Sequence, residues 1–320
     1  MESVSESWPA AINTVTIGAG KAEGGTRSST VTIGGETALP FLRFDGAAPH
    51  RPALALEILD YEPDDWPTAL REPYGEALGD PAKWAELNQA RYRPDLICLR
   101  LQGLHPDWGD TPPEKAAETV RTVLAASSLP LIIAGCDHPD KDNLAFPLCA
   151  SAAAGENCLI GFATEENYKT LTAACLADRH AIWAQSPIDI NIAKQVNILI
   201  SEMGFDPKRI VIDPNTGALG YGIEYTYSIM ERIRLAALDG DRMLAMPMLG
   251  DIGADSWRAK EAKAAEKDFP EWGEEKLRGP LWEAATAALL LQAGADLIIF
   301  RHPRALEMIR GHLDLLTVSK

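Results

Sequence analysis

Eight short, almost uninterrupted apolar runs recur along this chain at intervals averaging about 35 residues, and that rhythm restricts the available folds more than any other feature. The runs occupy 54–60, 96–101, 129–137, 158–164, 181–186, 210–213, 243–249 and 297–301. Between them lie stretches of helical periodicity at 81–91, 113–126, 165–178, 190–203, 224–238 and 281–293. Proline stands at or near the start of several, and Gly204 and Gly294 lie just past the end of two, supplying the usual start and stop signals. Near-continuous apolar strands that alternate with helices belong to a parallel sheet covered on its outer face. Eight such units predict closure, so the chain reads as an α/β protein with a (β/α)8 TIM barrel; an open doubly wound sheet is the competing architecture.

The first fifty residues read differently. Thr-Val-Thr-Ile-Gly occurs at 14–18 and again at 30–34, alternating apolar and polar positions as half-buried strands do. For Val15, Ile17, Val31 and Ile33 to share one buried side, 15 must face 33 and 17 must face 31. That register centres a turn on Glu23-Gly24-Gly25 and predicts a β-hairpin with a three-residue loop. The expected division is an N-terminal hairpin extension at 1–50, acting as a plug over one barrel end or as a docking surface, and the barrel at 51–320. The barrel carries an insertion at about 254–280, beyond the seventh strand. A long segment at the carboxyl end of a strand is usually functional, although its charged part, 258–267, reads by itself as a solvated helix.

Composition narrows the partners. Over 320 residues, 30 Lys and Arg oppose 46 Asp and Glu, a formal charge of −16 that argues against nucleic acid or an anionic membrane surface. Hydrophobic residues at 46% and charged residues at 24% indicate a packed core. Cys98, Cys136, Cys149, Cys158 and Cys175 form no C-x-x-C pair, and an odd, scattered set fits a reducing cytoplasm. The start of the chain, with Glu2 and Glu6 and no basic segment before an apolar one, shows no secretory signal, and no window approaches a membrane span.

In a barrel of this kind ligands bind where the strands end. The polar residues at those positions are Glu57, Asp60, Gln102, Asp137, Thr164, Gln185, Ser186, Asp213, Asn215, Thr216, Asp251, Arg301 and His302. Any one of them equally suits a helix cap or a turn. The most informative stretch is Asp213-Pro-Asn-Thr-Gly-Ala-Leu-Gly-Tyr-Gly222, where Gly217, Gly220 and Gly222 let the backbone approach a ligand closely. Its G-x-x-G-x-G spacing is not the dinucleotide fingerprint, and Tyr221 and Tyr225 beside it suggest a flat organic surface. Gly18-Ala-Gly20-Lys21 lacks the P-loop spacing, and no Gly-x-Ser-x-Gly elbow occurs. Cys136-Asp137-His138 has no second ligand pair to complete a metal site. Met243, Met246 and Met248 read as strand packing. No catalytic residue and no metal ligand is assigned.

Several ordered stretches resemble the small subunit of the corrinoid iron-sulfur protein, the family of the delta subunit of the acetyl-CoA decarbonylase/synthase complex. They are Gly24-Gly-Thr-Arg-Ser28 with Ile33-Gly-Gly-Glu-Thr-Ala-Leu-Pro-Phe41, and Gly135-Cys-Asp137 with Lys141-Asp142. The 213–222 segment follows, with Tyr225-Thr-Tyr-Ser-Ile-Met-Glu-Arg232, and then Trp282-Glu283, Ala293-Gly-Ala-Asp296 and Arg301-His-Pro303. The resemblance implies a barrel related to pterin-dependent methyltransferases, paired as a heterodimer with a large subunit that carries the corrinoid and a [4Fe-4S] cluster. It implies transient encounters with a methyltetrahydrofolate methyltransferase and with CO dehydrogenase/acetyl-CoA synthase, between which the cobalt of the corrinoid carries a methyl group. On that reading the mouth caps the corrinoid (cobalamin), and the expected contact residues are Asn215, Thr216, Gly217, Gly220, Tyr221, Tyr225, Gln185 and Asp251. The lack of a cysteine cluster here agrees with an iron-sulfur cluster held only by the partner. The alternative is a free-standing methyltetrahydrofolate:corrinoid methyltransferase with Asp213 and Asn215 on the pterin edge.

Overall fold

The computed structural model of the chain describes residues 4–317. Glu2 and the outermost residues of the expected 1–50 and 51–320 segments lie outside the described residues.

Two antiparallel strands, β1 (Thr14–Ile17) and β2 (Val31–Gly34), precede eight parallel ones. These are β3 (Ala53–Leu59), β4 (Leu96–Arg100), β5 (Leu131–Ala134), β6 (Leu159–Ala163), β7 (Ala181–Gln185), β8 (Ile210–Asp213), β9 (Met248–Asp251) and β10 (Ala295–Phe300). They follow one another around a closed barrel, and β10 pairs with β3 to complete it. The helices are α1 (Thr68–Arg71), α2 (Pro81–Leu87), α3 (Pro113–Ala126), α4 (Pro139–Ala152), α5 (Tyr168–Asp178), α6 (Ile190–Glu202), α7 (Ile223–Leu238), α8 (Gly253–Arg258), α9 (Lys260–Lys263), α10 (Glu275–Ala293) and α11 (Pro303–Thr317). Local chemistry sets their ends. The Asp80 carboxylate accepts from the Lys83 amide with Pro81 in the first turn, Asp189 accepts from the Asn191 amide at 2.7 Å, and Gly294 ends α10 at φ 109°. The helices at 139–152 and 303–317 are additional to those the sequence predicts; Pro147 interrupts the periodicity of the first.

Side-chain alternation sorts the barrel into two cores. Leu54, Leu56 and Ile58 of β3 face the helices, while Ala53 and Ala55 point into the barrel with Leu96, Cys98, Ile132, Ala134, Leu159, Trp183, Val211, Leu249, Leu297 and Ile299. Val15, Ile17 and Ile33 of the N-terminal pair join this inner cluster, so the pair plugs the end of the barrel at which the strands begin. The register is the expected one, Val15 opposite Ile33 and Ile17 opposite Val31. The connection is not a three-residue turn. Residues 18–30 form a longer loop because Thr26, Arg27 and Ser28 are drawn to the barrel wall, where they bond Glu156, Ser127 and Ser128. The seventh strand of the barrel also departs from expectation, since it begins at Met248. Residues 243–245 turn on the Asp241 carboxylate and carbonyl, and Pro247, which has no amide to donate, accepts from Ile212 at 2.9 Å. Of the three methionines only Met248 is on a strand, and Met246 packs in the outer core.

Candidate functional site

Continuing the inward-facing column by one step changes its chemistry on six of the eight strands, all but β5 and β6. Above the apolar layers the next inward positions are Glu57, Arg100, Gln185, Asp213, Asp251 and Arg301, and they form a polar layer just beneath the mouth. Arg100 donates from Nε to Glu57 and from a terminal amino group to Asp251, and Arg301 donates from Nε to the other Glu57 oxygen. Burial would push the Glu57 carboxyl up, but the Arg301 and Arg100 guanidiniums outweigh it and hold Glu57 below its ordinary value. Burial pushes Asp251 up despite Arg100, and its Oδ1 has no partner.

Across the barrel, Asp213 accepts from Trp183 Nε1 at 2.9 Å, from Gln185 Nε2 at 3.0 Å and from the Asn215 amide at 2.8 Å. Burial still pushes its carboxyl up to about 7, outweighing those donors. Trp183 fits the barrel because its neighbour is Gly161, where an added Cβ would lie 2.4 Å from the Trp183 Cβ.

The 213–222 segment forms the rim above Asp213. Asn215, exposed and at φ 67°, turns so that its side-chain oxygen accepts from the Thr216 amide. Thr226 Oγ1 of α7 accepts from the Gly217 amide, and a Cβ at Gly217 would meet the Gly222 backbone at 2.7 Å, so the loop can close only on glycine. Thr216 is buried with its hydroxyl unpartnered. Gly220 lies beneath the Trp282 ring. Tyr221 and Tyr225 are 53% and 63% exposed, which is unusual for aromatic side chains and leaves their rings on the surface. The Tyr221 hydroxyl bonds Glu261 at 2.9 Å and accepts from the Lys260 amide, joining the rim to the α8–α9 segment. Arg278 holds that segment by its carbonyls at Ala264, Phe269 and Gly273.

The eight residues expected to contact a cofactor thus gather on one arc of the mouth, after β7, β8 and β9, though not as equals. Gln185 and Asp251 are engaged in the buried layer, whereas Asn215, Tyr221 and Tyr225 reach the surface. Among the other strand-end groups, Asp60 accepts from the Gly103 amide, and burial pushes it up to about 6. Thr164 is tied by Asn167 at the start of α5. The Ser186 hydroxyl is buried without a partner. Burial holds His302 down at about 4. Cys136, Asp137 and His138 converge on nothing: no group of three metal-ligating side chains occurs among the described residues, and all five cysteines are buried free thiols.

Two members of the site escape a reading of the sequence. Arg100 sits inside an apolar run, where nothing marks it as a strand-end group. Glu283 lies on α10, accepts from Trp257 Nε1 and the Arg301 and His302 amides, and is pushed up to about 8 by burial.

The family model described as CO dehydrogenase/acetyl-CoA synthase delta subunit matches residues 14–310. The acetyl-CoA decarbonylase/synthase complex subunit delta of Archaeoglobus fulgidus is 36% identical over 315 residues, covering 97% of this chain and 69% of the relative. That of Methanosarcina mazei is 36% identical over 308 residues, covering 95% and 70%. Among solved structures, dihydropteroate synthase from Xanthomonas albilineans in complex with 7,8-dihydropteroate superposes with a TM-score of 0.57 at 14% identity, over 88% of this chain and 100% of that one. At that identity the likeness concerns the fold alone.

Proposed function

This chain belongs to the CO dehydrogenase/acetyl-CoA synthase delta subunit family, and from that premise we propose that it works as the barrel subunit of an acetyl-CoA decarbonylase/synthase system, its mouth capping a corrinoid held by a larger partner. The observation that carries the reading is the polar layer. Two arginines, Arg100 and Arg301, are matched against two carboxylates, Glu57 and Asp251, so the centre of the mouth is filled by the chain's own groups. What is left for a ligand as broad as a corrinoid is the rim.

The rim suits a broad ring fringed with amides. Thr216 and Ser186 offer buried hydroxyls without partners, Asp251 offers an unbonded oxygen, and Tyr221 and Tyr225 offer flat exposed faces. The backbone at Gly217 and Gly220 permits close approach. When bound, the corrinoid supplies a cobalt centre that accepts and releases a methyl group. The chain's own part is to exclude water from that face and to hold it in register, while the segment tied to Tyr221 keeps the rim in shape. The partner is the corrinoid iron-sulfur protein large subunit with its [4Fe-4S] cluster, and the pair meets a methyltetrahydrofolate methyltransferase and CO dehydrogenase/acetyl-CoA synthase transiently in an anaerobic cytoplasm.

Anaerobic co-expression with a candidate large subunit tests this. The complex should elute with corrinoid absorbance and iron, and the lone chain should be colourless and give no calorimetric heat with methyltetrahydrofolate. Stoichiometric cobalt in the lone chain, or failure of the two chains to associate, would overturn the proposal.

A further inference from the structure

A second concavity opens at the same end of the barrel, between the segments that follow β3, β4 and β10 and the α8–α9 segment after β9, whose other side is joined to Tyr221 of the 213–222 rim. It has a volume of about 200 Å³, below the roughly 300–1,000 Å³ of pockets for drug-sized ligands. Its walls are aromatic: Tyr61 and Trp108 lean together with centroids 5.7 Å apart, Trp108 is 45% exposed, and Trp66 lies behind them. Its charges run against those of the molecule. In a chain of formal charge −16, Arg258, Lys263 and Arg301 line the cleft with one lining acid, Asp65, and Arg258 is paired through Nη1 with Asp255 at 2.9 Å, which leaves its other amino group free to face the cleft. Lys263 pairs with no carboxylate among the described residues, and Arg301, stacked 5.2 Å from the Trp66 ring centre, uses only Nε on Glu57. Gln102 adds a neutral amide at the edge.

We propose that this cleft binds an organic anion built on one flat ring, with the charged group against Lys263, Arg258 and Arg301 and the ring against Trp108 and Tyr61. The aromatic faces favour a planar apolar body, and a guanidinium already seated on Trp66 adds a fixed positive charge beside it. The volume admits a single ring with one charged substituent, carboxylate or phosphate. This site does not depend on the corrinoid-capping role, because it is read on the lone chain without any corrinoid.

Three probes separate the two contributions: phenyl phosphate carries ring and charge, inorganic phosphate the charge alone, and benzamide the ring alone. Calorimetry and tryptophan fluorescence on the full chain should show saturable binding of phenyl phosphate, with each of the other two at least roughly tenfold weaker. Arg258→Ala with Lys263→Ala, and separately Trp108→Ala, should each weaken phenyl phosphate by about tenfold or more at unchanged melting temperature, since these side chains are exposed. No saturable binding up to about 10 mM phenyl phosphate would overturn the proposal. So would binding that survives these changes but is lost with Arg304→Ala, which would move the anion to the separate groove along α11.

Discussion

Both ends of the barrel bury arginine, and they use it differently. At the end where the strands begin, Arg27 is held by Glu156 at 2.7 Å and by the carbonyls of Ser127, Leu124 and Leu129, and these four bonds fasten the N-terminal loop to the barrel wall. Arg234 does the same with Glu36, Asp296 and the Gly294 carbonyl, joining the segment after β2 to the start of β10. At the mouth, Arg100 and Arg301 share Glu57, but the polar layer around them leaves Asp251 Oδ1, Ser186 Oγ and Thr216 Oγ1 unpartnered and exposed tyrosines above. Of these groups the sealed end leaves one donor, Arg234 Nε, without a partner and uses the rest for closure, whereas the open end leaves three oxygens unpartnered beneath its exposed tyrosines.

The largest effect that tests this contrast is at Arg27. Arg27→Met takes the guanidinium from the Glu156 carboxylate, which keeps only the Thr26 amide and hydroxyl, strands three carbonyls, and should cost about 3–5 kcal/mol in denaturant unfolding. Arg100→Met should cost less, about 2 kcal/mol, because Glu57 retains Arg301 and Asp251, already pushed up by burial, takes a proton. Equal losses would mean that the mouth cluster stabilises the fold as strongly as the plug does, and the contrast between the ends would fail.

Acidity sharpens the comparison next. Burial pushes Asp213 at the mouth, and Asp296 at the sealed end, up to about 7. A carboxyl whose folded value is raised binds its proton more tightly in the native state, so its contribution is fully present below the ordinary value of 3.8 and is lost as pH rises through about 7. Asp213→Asn should flatten the fall in stability between those values by up to about 1.4 kcal/mol per pH unit. It leaves no cation unpaired, since the donors to Asp213 are an indole, an amide side chain and a backbone amide. Asp296→Asn removes one of the two carboxylates of Arg234 and should destabilise the protein as well, most of all above about pH 7, where Asp296 is ionised. Parallel pH curves for the wild type and Asp213→Asn would show that Asp213 does not carry the slope.

Which of these features a reader finds in the sequence follows from how local their causes are. The register of β1 and β2 is legible because the duplicated pentapeptide permits only one pairing that buries Val15, Ile17 and Ile33 together. The eight barrel strands are legible because each is apolar on both faces, and the strand-end rule finds Gln185, Asp213 and Asp251. The loop at 18–30 is not, because Arg27 takes its shape from Ser127 and Glu156, which are distant in sequence and meet it only once the barrel wall has formed. Arg100 is hidden for the same reason: within its own run it is one cation after Leu99, and only pairing with β3 and closure of the barrel bring Glu57 and Asp251, both distant in sequence, to its guanidinium. Pro247 marks the most instructive difference. The apolar run from Met243 predicts strand throughout, yet the turn on Asp241 and the missing amide postpone pairing to Met248.

The smallest effect on stability belongs to Tyr225, and it separates the two ends most directly. The side chain is 63% exposed on the first turn of α7, and among the described residues neither its ring nor its hydroxyl has a bonded partner, so Tyr225→Ala should change unfolding by no more than about 0.5 kcal/mol. A large aromatic face left in water at a rim is costly to keep unless something covers it, and truncating such a residue at a contact typically weakens association by about 1–2 kcal/mol or more. Titrating the proposed corrinoid-bearing partner with Tyr225→Ala should therefore show roughly tenfold weaker association at an unchanged melting temperature. The matching change at the sealed end, Ile17→Ala, should do the reverse, with a loss of about 2–5 kcal/mol in stability and no change in association per folded molecule. If Tyr225→Ala bound the partner as the wild type does, the covered face would have to lie elsewhere on the mouth, and the 213–222 rim would lose its role as the docking surface.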